Sequence, residues 1–534
     1  MTRDRLGIPR GAPAAADGYT LSTLVGPAAL AGANGMRWGP DGALYVAQAF
    51  GSQVSAVDVA SGSARIVAPA DGAIVAPDDL AFDSHGNLFV TEVMSARVSA
   101  IRPNGNVDVI ASDVPVANGV TVHNDRIFMS EFNPEGRIWE LRADGAQPRM
   151  IADGLMMPNA LCLGPDNMLY FPLVPLGEVW RVALNGGVPE RVIGELDIPT
   201  AVKFDAQGDL FAVESGSGAV SRIDVARGTR SEFARVAYGI DNFVFAPDGR
   251  MFVSHFTDGE VVEIAPDGMK RTAVAGGMTG PFGLCVQADG ALLVADGMSL
   301  AVVDKAGGIT RPAMLLQHGF PGYVRGVAAD ESGAFVVTNS AGQVARFAPG
   351  SEAEVLAEGL DQAMGVAILS GGEIVVCESG GGRVLGISAK GDVKTIATGL
   401  DRPTGIAEAP DGGILVSEAG AGAVTHISDG ETTRVITGLG EPHGVAVSDG
   451  RVVVLDRETG TLWQAGEAGA PPQAIAIGLP SGTDRAMQPN VLPGIAGLMP
   501  GPLLPFADIA AWPDGRIAIG GDAQGSILIL DTVG

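Results

Sequence analysis

The sequence is dominated by one repeated unit, in which two short apolar strands are joined by a turn. In residues 404–418, alternating apolar residues are followed by Pro410, Asp411 and Gly412, a second apolar stretch and Glu418. An Asp-Gly turn between two alternating stretches predicts a β-hairpin. The turn glycine, or the residue in its place, recurs at Gly42, Gly86, Asp125, Asn167, Gly208, Gly249, Gly290, Gly333, Gly372, Gly412, Gly450 and Gly515.

The repeats lie about 38 to 44 residues apart, except for a last interval of roughly 65, and such a period is typical of propeller blades. Each repeat has room for two further strands. Residues 97–101 and 106–111, joined by a Pro-Asn-Gly turn, are one example. We name the four antiparallel strands of a blade A to D from the axis outward. The sequence therefore predicts an all-β protein, a β-propeller with twelve four-stranded blades.

The two ends of the chain indicate how the blades form rings. Residues 19–25 match a strand D with no blade before it, and residues 526–530 match a strand C with nothing after it. Pairing these strands would close a ring and protect its edges. One ring of twelve blades is one solution, but a cut near Pro266 gives two halves that each begin with a strand D and end with a strand C. We therefore predict two six-bladed propellers, at residues 19–267 and 268–534, preceded by a tail at residues 1–18.

One insertion, at residues 480–505, interrupts the last interval and is rich in proline and glycine. It joins strand D of the eleventh unit to strand A of the twelfth. Long loops of this kind are often functional. We expect it either to lie over the mouth of the second propeller or to act as a spacer between the two propellers.

Composition narrows the classes of partner. Lys and Arg total 34 while Asp and Glu total 61, which gives a formal charge of −27. Such a surface repels phosphate backbones, so nucleic acid is not an expected partner. No apolar run is long enough to span a membrane, no secretory signal is visible, and the three cysteines show no pairing or metal spacing. These features predict a cytoplasmic protein whose partner is a small molecule.

The hairpin of each blade brings the start of strand A beside the end of strand B, close to the axis and on one face. In the first half the residues predicted at the starts of strand A are Asn34, Asp78, Asn118, Asn159, Thr200 and Asp241. The residues predicted at the ends of strand B are Gln48, Glu92, Glu131, Leu173, Glu214 and His255. The first propeller is thus expected to have an oxygen-rich mouth.

Hard cations bind about six to eight oxygen atoms from carboxylates, amides and water. The expected ligands of one divalent cation, Ca²⁺ above all with Mg²⁺, Mn²⁺ or Zn²⁺ as alternatives, are Asn34, Asp78, Asn118, Asn159 and Asp241. A bound cation would polarise a carbonyl or acidify water. We predict Asp241 or Glu214 as the catalytic base and His255 as the proton carrier.

These residues also have purely structural interpretations. A Glu ends strand B in many blades of both halves, so it can serve the blade by accepting backbone N–H groups. Asn before Gly can likewise serve a turn. In the second half the residues at the starts of strand A are Phe282, Arg325, Met364, Thr404, His443 and Ala507. This mixed ring favours an organic pocket or a structural module over a hard-metal site.

The repeats and their Pro-Asp-Gly turns resemble NHL-type and regucalcin/gluconolactonase-like six-bladed propellers over nearly the whole chain. Residues 33–38, Ala-Asn-Gly-Met-Arg-Trp, are similar to the gluconolactonase-like motif Glu-Gly-Pro-x-Trp, with Asn34 in place of Glu. Pro158-Asn159-Ala160 resembles the family's Pro-Asn-Gly, and Asn118 falls in the third blade, where the family places an Asn ligand. The resemblance implies one axial divalent cation, although Thr200 stands where the family has an Asp ligand.

The expected function is that of a metal-dependent hydrolase, which opens a lactone or related ester at the mouth of the first propeller. An eliminating lyase of the virginiamycin-lyase-like kind is the alternative enzyme, with or without a metal. A binding or scaffold protein is the alternative without catalysis, because propellers of this type serve many functions.

Overall fold

The computed structural model describes residues 2–144, 146–330, 332–388, 390–466, 470–482 and 489–533. In these residues the secondary structure consists of β-strands, apart from one 3₁₀ turn at Val174–Leu176. The turns are those that the repeat predicts: in the turn between strands A and B, the Asp411 carboxylate accepts the Gly413 N–H at 3.1 Å. Gly412 has φ 84°, a conformation that glycine adopts without strain. Each blade is an antiparallel sheet, and its four strands follow one another along the chain in every blade except the one completed by residues 19–25.

The chain divides into two compact units. Propeller 1 is Ala29–Gly276 and contains six four-stranded blades. Blade 1 is Met36–Trp38, Leu44–Gln48, Gln53–Asp58 and Ser63–Ala68; blade 2 is Pro77–Phe82, Leu88–Glu92, Arg97–Ile101 and Val107–Ser112; blade 3 is Ala117–His123, Arg126–Glu131, Gly136–Leu141 and Arg149–Leu155. Blade 4 is Cys162–Leu163, Met168–Leu173, Glu178–Ala183 and Glu190–Ile193; blade 5 is Pro199–Phe204, Leu210–Glu214, Ala219–Asp224 and Thr229–Arg235; blade 6 is Ile240–Phe245, Met251–His255, Val261–Ile264 and Lys270–Val274.

Propeller 2 is Met1–Ala28 together with Gly277–Gly534, and it also contains six blades. Blade 7 is Gly283–Val286, Leu292–Asp296, Ser299–Val303 and Ile309–Met314; blade 8 is Val324–Ala329, Phe335–Asn339, Val344–Phe347 and Glu354–Ala357; blade 9 is Ala363–Ile368, Ile374–Glu378, Arg383–Ile387 and Val393–Thr398. Blade 10 is Pro403–Glu408, Ile414–Glu418, Ala423–Ser428 and Glu431–Thr437; blade 11 is Pro442–Ser448, Arg451–Asp456, Thr461–Gln464 and Gln473–Ile477; blade 12 is Ile509–Ala511, Ile517–Gly521, Ser526–Thr532 and Tyr19–Val25.

Both units are closed rings, because the innermost strands contact one another in a cycle. In propeller 1 strand A of blade 6, Ile240–Phe245, lies against strand A of blade 1. In propeller 2 strand A of blade 12, Ile509–Ala511, lies against that of blade 7. The apolar clusters fill the spaces between neighbouring blades, as in other sheets packed face to face. The prediction of two six-bladed propellers from twelve blades is therefore confirmed.

The assignment of the two predicted D strands was wrong, however. Tyr19–Val25 pairs with Ser526–Thr532 and so belongs to propeller 2, not to propeller 1. Lys270–Val274 pairs with the strand just before it, Val261–Ile264, and so completes propeller 1. The short Pro-Asp-Gly turn between those two strands favours the local pairing. The boundary between the propellers thus lies near Gly276 rather than at residue 267, and strand 19–25 crosses from one end of the chain to the other.

The predicted tail at residues 1–18 is folded onto propeller 2. Thr2–Arg3 pairs with Pro9–Arg10, and Ala14–Ala15 adds a fifth strand to blade 11. The buried Arg5 guanidinium donates to the backbone carbonyls of Met278 at 2.8 Å and Asp522 at 2.9 Å. The segment is therefore part of propeller 2 and not a free extension.

The predicted insertion contains a hairpin of Leu492–Ile495 and Met499–Leu503, while its residues 483–488 lie outside the described residues. Arg325, at the start of strand A of blade 8, donates to the Pro502 carbonyl at 2.7 Å. This contact favours the expectation that the insertion lies over the mouth of propeller 2, rather than the expectation that it acts as a spacer.

Among the described residues, no helix has the length and apolarity needed to cross a membrane.

The ring closure predicts which fragments fold. Residues 29–276 should fold alone, whereas residues 277–534 should be unstable alone because Ser526–Thr532 loses its partner strand and leaves an open sheet edge. Circular dichroism and thermal unfolding of the two fragments test this.

A permuted fragment provides the control. Since the Val533 N–H donates to the Gly18 carbonyl at 2.8 Å, residue 534 can be joined to residue 18 by a short glycine turn. We expect the fragment 277–534 followed by 18–28 to regain cooperative unfolding. Equal stability of the fragments with and without residues 18–28 would contradict the closure.

Candidate functional site

The mouth of propeller 1 is built from β-bulges at the starts of its A strands. In blade 6 Ile240 pairs with His255 but Phe243 pairs with Val253, so two residues lie opposite one. The same shift occurs at Asp78 in blade 2 and at Asn118 in blade 3. Bulges change the direction of side chains and are common beside active sites. In blades 2, 3 and 6, Asp78, Asn118 and Asp241 thus occupy positions that a bulge frees from regular pairing, whereas Asn34 and Asn159 lie just before strand A of their blades.

A hydroxyl at the penultimate position of strand B stabilises each of these bulges. The Thr91 Oγ1 accepts the Asp79 N–H at 2.9 Å, and the Ser254 Oγ accepts the Asn242 N–H at 3.1 Å. Ser130 accepts the Gly119 N–H in the same way. The hydroxyls satisfy backbone groups that would otherwise be buried without a partner. The sequence pattern of a hydroxyl before the last residue of strand B therefore has a structural cause.

Asp78 and Asp241 are the two carboxylates at this mouth that lack a partner. Among the described residues neither makes a hydrogen bond or an ion pair. Burial and the neighbouring charges of Asp241 and Asp79 raise the pKa of Asp78 well above its usual value. Burial, together with Asp79, raises the pKa of Asp241 to about 7, although the Lys203 ammonium acts in the opposite direction. Two carboxylates that repel each other and have no cationic partner favour a bound cation.

The amide oxygens at the mouth differ in how far they are already used. The Asn118 Oδ1 is buried and has no hydrogen-bond partner among the described residues. The Asn34 Oδ1 accepts the Ala49 N–H at 3.1 Å, and the Asn159 Oδ1 accepts the N–H of the next residue at 2.7 Å. The Asn118 Oδ1 therefore has both lone pairs available to a ligand, whereas the Oδ1 atoms of Asn34 and Asn159 each have one.

The donor set fits a hard divalent cation. Asp78, Asp241 and Asn118 supply oxygens without protein partners, and Asn34 and Asn159 supply amide oxygens with remaining capacity. Ca²⁺ binds such carboxylate and amide oxygens in flexible geometry. Together, these residues could hold one cation at the mouth.

Sequence reasoning missed a buried charged network next to these residues. The Asp79 carboxylate accepts the N–H groups of Leu80 at 2.9 Å and Val120 at 3.0 Å, and the Arg37 guanidinium lies 3.7 Å from it. The Lys203 Nζ donates to the Asn242 Oδ1 at 2.6 Å. Burial and Arg37 lower the pKa of Lys203 well below its usual value.

A repeat alignment could have found this network. The residues that follow the starts of strand A are Gly35, Asp79, Gly119, Ala160, Ala201 and Asn242. Four of these six are glycine or alanine, so the polar side chains of Asp79 and Asn242 break the pattern in blades 2 and 6, which lie on either side of blade 1 in the closed ring. The prediction considered only the first residue of each strand A and therefore did not include Asp79 and Asn242.

The Glu residues at the ends of strand B anchor the blades, as their structural interpretation predicts. Glu92 accepts the Val75 N–H at 2.7 Å, the Arg97 Nε–H at 2.7 Å and the Ser99 hydroxyl at 2.5 Å. Glu214 accepts the Asp197 N–H at 2.8 Å and the Ser221 hydroxyl at 2.5 Å, and it also pairs with Arg230. Both Glu214 oxygens are occupied, so this carboxylate serves the blade and is poorly suited to act as a base.

His255 is completely buried and its ring lies beside the turn that follows strand B of blade 6. Its Nδ1 is 3.3 Å from the Glu260 Oε2 and 3.7 Å from the Asp258 Oδ1. Burial lowers the pKa of this imidazole, but the two carboxylates outweigh burial and raise it to about 9. Such a group is protonated at neutral pH and engaged by carboxylates, so it is not arranged to carry protons for a substrate.

Propeller 2 has a different mouth, with buried aromatic and basic side chains. Arg325 is bound to the hairpin at Pro502, and the His443 ring lies 5.7 Å from that of Phe506. Burial, followed by the charges of Arg457 and Arg402, lowers the pKa of His443 well below its usual value, so its imidazole is neutral. The prediction that this ring is a poor hard-metal site agrees with these contacts.

Comparison with known proteins identifies the family. The family model for the virginiamycin B lyase family matches residues 21–295, which include all of propeller 1. The chain belongs to the virginiamycin B lyase family. An NHL repeat model matches residues 439–464 in propeller 2, so the predicted resemblance to this propeller superfamily is confirmed. No protein of curated function matches the chain.

Several solved structures are similar to about half of this chain. A streptogramin B lyase is 19% identical over 52% of this chain and 94% of its own, with a TM-score of 0.39. A catalytically inactive variant of virginiamycin B lyase from Staphylococcus aureus with quinupristin is 16% identical over 55% and 98%, with a TM-score of 0.37. A putative gluconolactonase is 18% identical over 55% and 93%, with a TM-score of 0.34.

The structural role of the strand B carboxylates can be tested with Glu92→Ala in the fragment 29–276. This change removes four hydrogen bonds from a side chain that is 0% exposed and leaves Arg97 without its carboxylate partner. We expect the free energy of unfolding to fall by about 3 kcal/mol, as measured by denaturant unfolding. The exposed Glu135→Ala is the control, and equal effects of the two variants would show that Glu92 is not an anchor.

Proposed function

We propose that propeller 1 is the catalytic unit of a carbon–oxygen lyase, which opens a cyclic ester by elimination with the help of a divalent cation. The observation that carries this proposal is the pair of unpartnered carboxylates, Asp78 and Asp241, beside the unpartnered Asn118 oxygen at one mouth. Membership in the virginiamycin B lyase family supports elimination over other ester chemistry. The expected substrate class is a cyclic depsipeptide, a ring of amino acids closed by an ester.

The cation would be held by Asp78 and Asn118, with Asn34 and Asn159 as further amide ligands. When bound, it would supply polarisation of the substrate carbonyl, which makes the neighbouring C–H more acidic. The negative charge of Asp78 would then be neutralised, which removes the repulsion that raises the pKa of this group in the ion-free protein.

Asp241 is the proposed base. A carboxylate with a pKa near 7 combines a useful fraction of the ionised form with enough basicity to take a proton at neutral pH. In the proposed reaction its oxygen removes the proton from the α-carbon of the residue whose side-chain oxygen is esterified, the carbon next to that residue's amide carbonyl. The electron pair forms a C=C bond as the C–O bond of the ester breaks, and the ester carboxylate leaves. No water is consumed.

Hydrolysis of the same ester is the second candidate. An oxygen-rich cation site such as Asp78, Asn118 and Asn159 can activate water as well as a carbonyl, and this donor set is the feature that favours a lactonase. The products distinguish the two reactions. Elimination gives an opened ring of unchanged mass with a new C=C bond, whereas hydrolysis gives a product heavier by one water.

The reaction can be tested with virginiamycin B and quinupristin as cyclic depsipeptides and gluconolactone as the lactone, each with added Ca²⁺ or Mg²⁺. We expect an isomeric, ring-opened product from a depsipeptide, detected by mass spectrometry. Asp241→Asn should reduce kcat by about a hundredfold or more, since general base catalysis contributes on that order. Glu214→Gln, if it folds, should retain far more activity. Full activity of Asp241→Asn would contradict the assignment of the base.

The raised pKa of Asp241 also predicts how stability changes with pH in chelator. The folded protein holds the carboxyl proton up to about pH 7, while the unfolded chain releases it near the ordinary carboxyl pKa of 3.8. The stabilisation from this group is therefore complete below pH 3.8 and is lost as the pH rises towards 7. Thermal unfolding of the fragment 29–276 should show this decrease, and Asp241→Asn should reduce it. The same pH slope in both proteins would contradict the prediction.

A further inference from the structure

We propose that His255, Asp258 and Glu260 form a second cation site, which binds a divalent first-row transition metal, Zn²⁺ or Mn²⁺. The three residues lie in blade 6, at the end of strand B and in the turn that follows it. This site is separate from the oxygen donors of Asp78 and Asn118. It requires no assumption about the reaction of propeller 1.

The geometry of the three side chains is that of ligands around one ion. One candidate ligand atom from each residue lies within 4.8 Å of the others. His255 is 0% exposed, and neither of its ring nitrogens has a hydrogen-bond partner among the described residues. Its Nδ1 lies 3.3 Å from the Glu260 Oε2 and 3.7 Å from the Asp258 Oδ1. Ligands that bind one metal ion at about 2.0 to 2.2 Å are separated by distances of this order.

The equivalent positions in other blades hold direct ion pairs instead. In blade 2 the strand B end, Glu92, is hydrogen-bonded to Arg97 five residues later, with a shortest distance of 2.6 Å. Glu378 and Arg383 make the same pair in blade 9. In blade 6 the charges are exchanged, because His255 stands in place of Glu and Glu260 in place of Arg. Here the imidazole and the Glu260 carboxylate are farther apart than the ion-paired groups of blade 2, and they lack hydrogen-bond geometry. An ion pair whose two charges have exchanged positions does not explain this separation.

Exchanging the two charges at positions 255 and 260 does not account for Asp258, which is a third charged group. Asp258 places a second carboxylate against one imidazole, so the cluster has a net negative charge even when His255 is protonated. The excess charge attracts a cation. When the cation binds, His255 must be neutral to donate its lone pair.

The neighbouring residues hold the carboxylates in position. The Thr272 Oγ1 donates to the Glu260 Oε1 at 2.9 Å, which leaves Oε2 on the side of His255. The Glu260 N–H donates to the Asp258 Oδ1 at 2.9 Å. Partners of this kind orient the ligands of metal sites. The Asp258 and Glu260 side chains are 15% and 24% exposed, so an ion can reach the buried imidazole from solvent.

The mixture of one imidazole and two carboxylates determines the class of metal. Imidazole is a good ligand for Zn²⁺ and other late first-row ions, while carboxylates also suit Mn²⁺. Ca²⁺ and Mg²⁺ prefer oxygen ligands alone, as the Asp78 and Asn118 donors offer. The chain would therefore hold two kinds of cation at two different places in propeller 1.

The test uses the full-length protein carrying Asp78→Asn and Asp241→Asn, which removes the carboxylates of the other site. Zn²⁺ is titrated by calorimetry, and Co²⁺ is titrated with its visible absorption as the signal of nitrogen and oxygen ligation. We expect one equivalent to bind and the melting temperature to rise with metal concentration. Adding His255→Gln or Glu260→Gln should each weaken binding tenfold or more. The exposed Asp248→Asn of the same blade is the control and should bind as the parent does.

Circular dichroism shows whether each variant is folded. If His255→Gln does not fold, Glu260→Gln decides the question, because the uncharged amide keeps the size of the side chain. Absence of saturable Zn²⁺ and Co²⁺ binding in the parent, or unchanged binding in Glu260→Gln, would overturn the proposal. Neither result depends on whether the protein opens an ester. Absence of ester opening by the unsubstituted protein, together with intact Zn²⁺ binding by the parent variant, would in turn count only against the proposed lyase.

Discussion

Closure of each ring is the constraint on which the rest of the structure depends. A blade presents apolar residues on both faces of its sheet, so each blade needs a neighbour on either side. Propeller 1 meets this need with blades that are each continuous in sequence. Propeller 2 meets it only because Tyr19–Val25 pairs with Ser526–Thr532. The pairing joins the two ends of the chain in one sheet, so propeller 2 depends on residues at both ends while propeller 1 does not.

Ring closure also brings the functional residues together. The first residues of six A strands meet around one axis, and in blades 2, 3 and 6 a bulge held by a strand B hydroxyl such as Thr91 frees side chains from regular pairing. In propeller 1 these positions gather carboxylates and amides. In propeller 2 the equivalent positions carry Arg325 and His443 and lie beneath a hairpin. The same backbone thus provides a polar mouth in one unit and an aromatic, covered mouth in the other.

Much of this arrangement was predictable from the sequence, because turn glycines and alternating strands mark every blade. The placement of strand 19–25 was not, since every strand D has the same alternation and fits the edge of any strand C. The network of Asp79, Lys203 and Asn242 was missed because a bulge brings a second residue of each A strand towards the mouth. The repetition of Glu at the ends of strand B already indicated an anchor, but whether both oxygens of Glu214 are occupied depends on contacts with Asp197 and Ser221, which only the folded blade shows.

The central claim is that Asp78 and Asn118 hold a cation at the mouth of propeller 1, beside the proposed base Asp241. Crystals of the fragment 29–276 grown with Mn²⁺, an anomalous scatterer with hard-cation chemistry, test it most directly. The account predicts an anomalous peak within bonding distance of the Asp78 carboxylate and the Asn118 Oδ1, which is absent in Asp78→Asn. Ordered carboxylates at this mouth with no peak at saturating Mn²⁺ would contradict it.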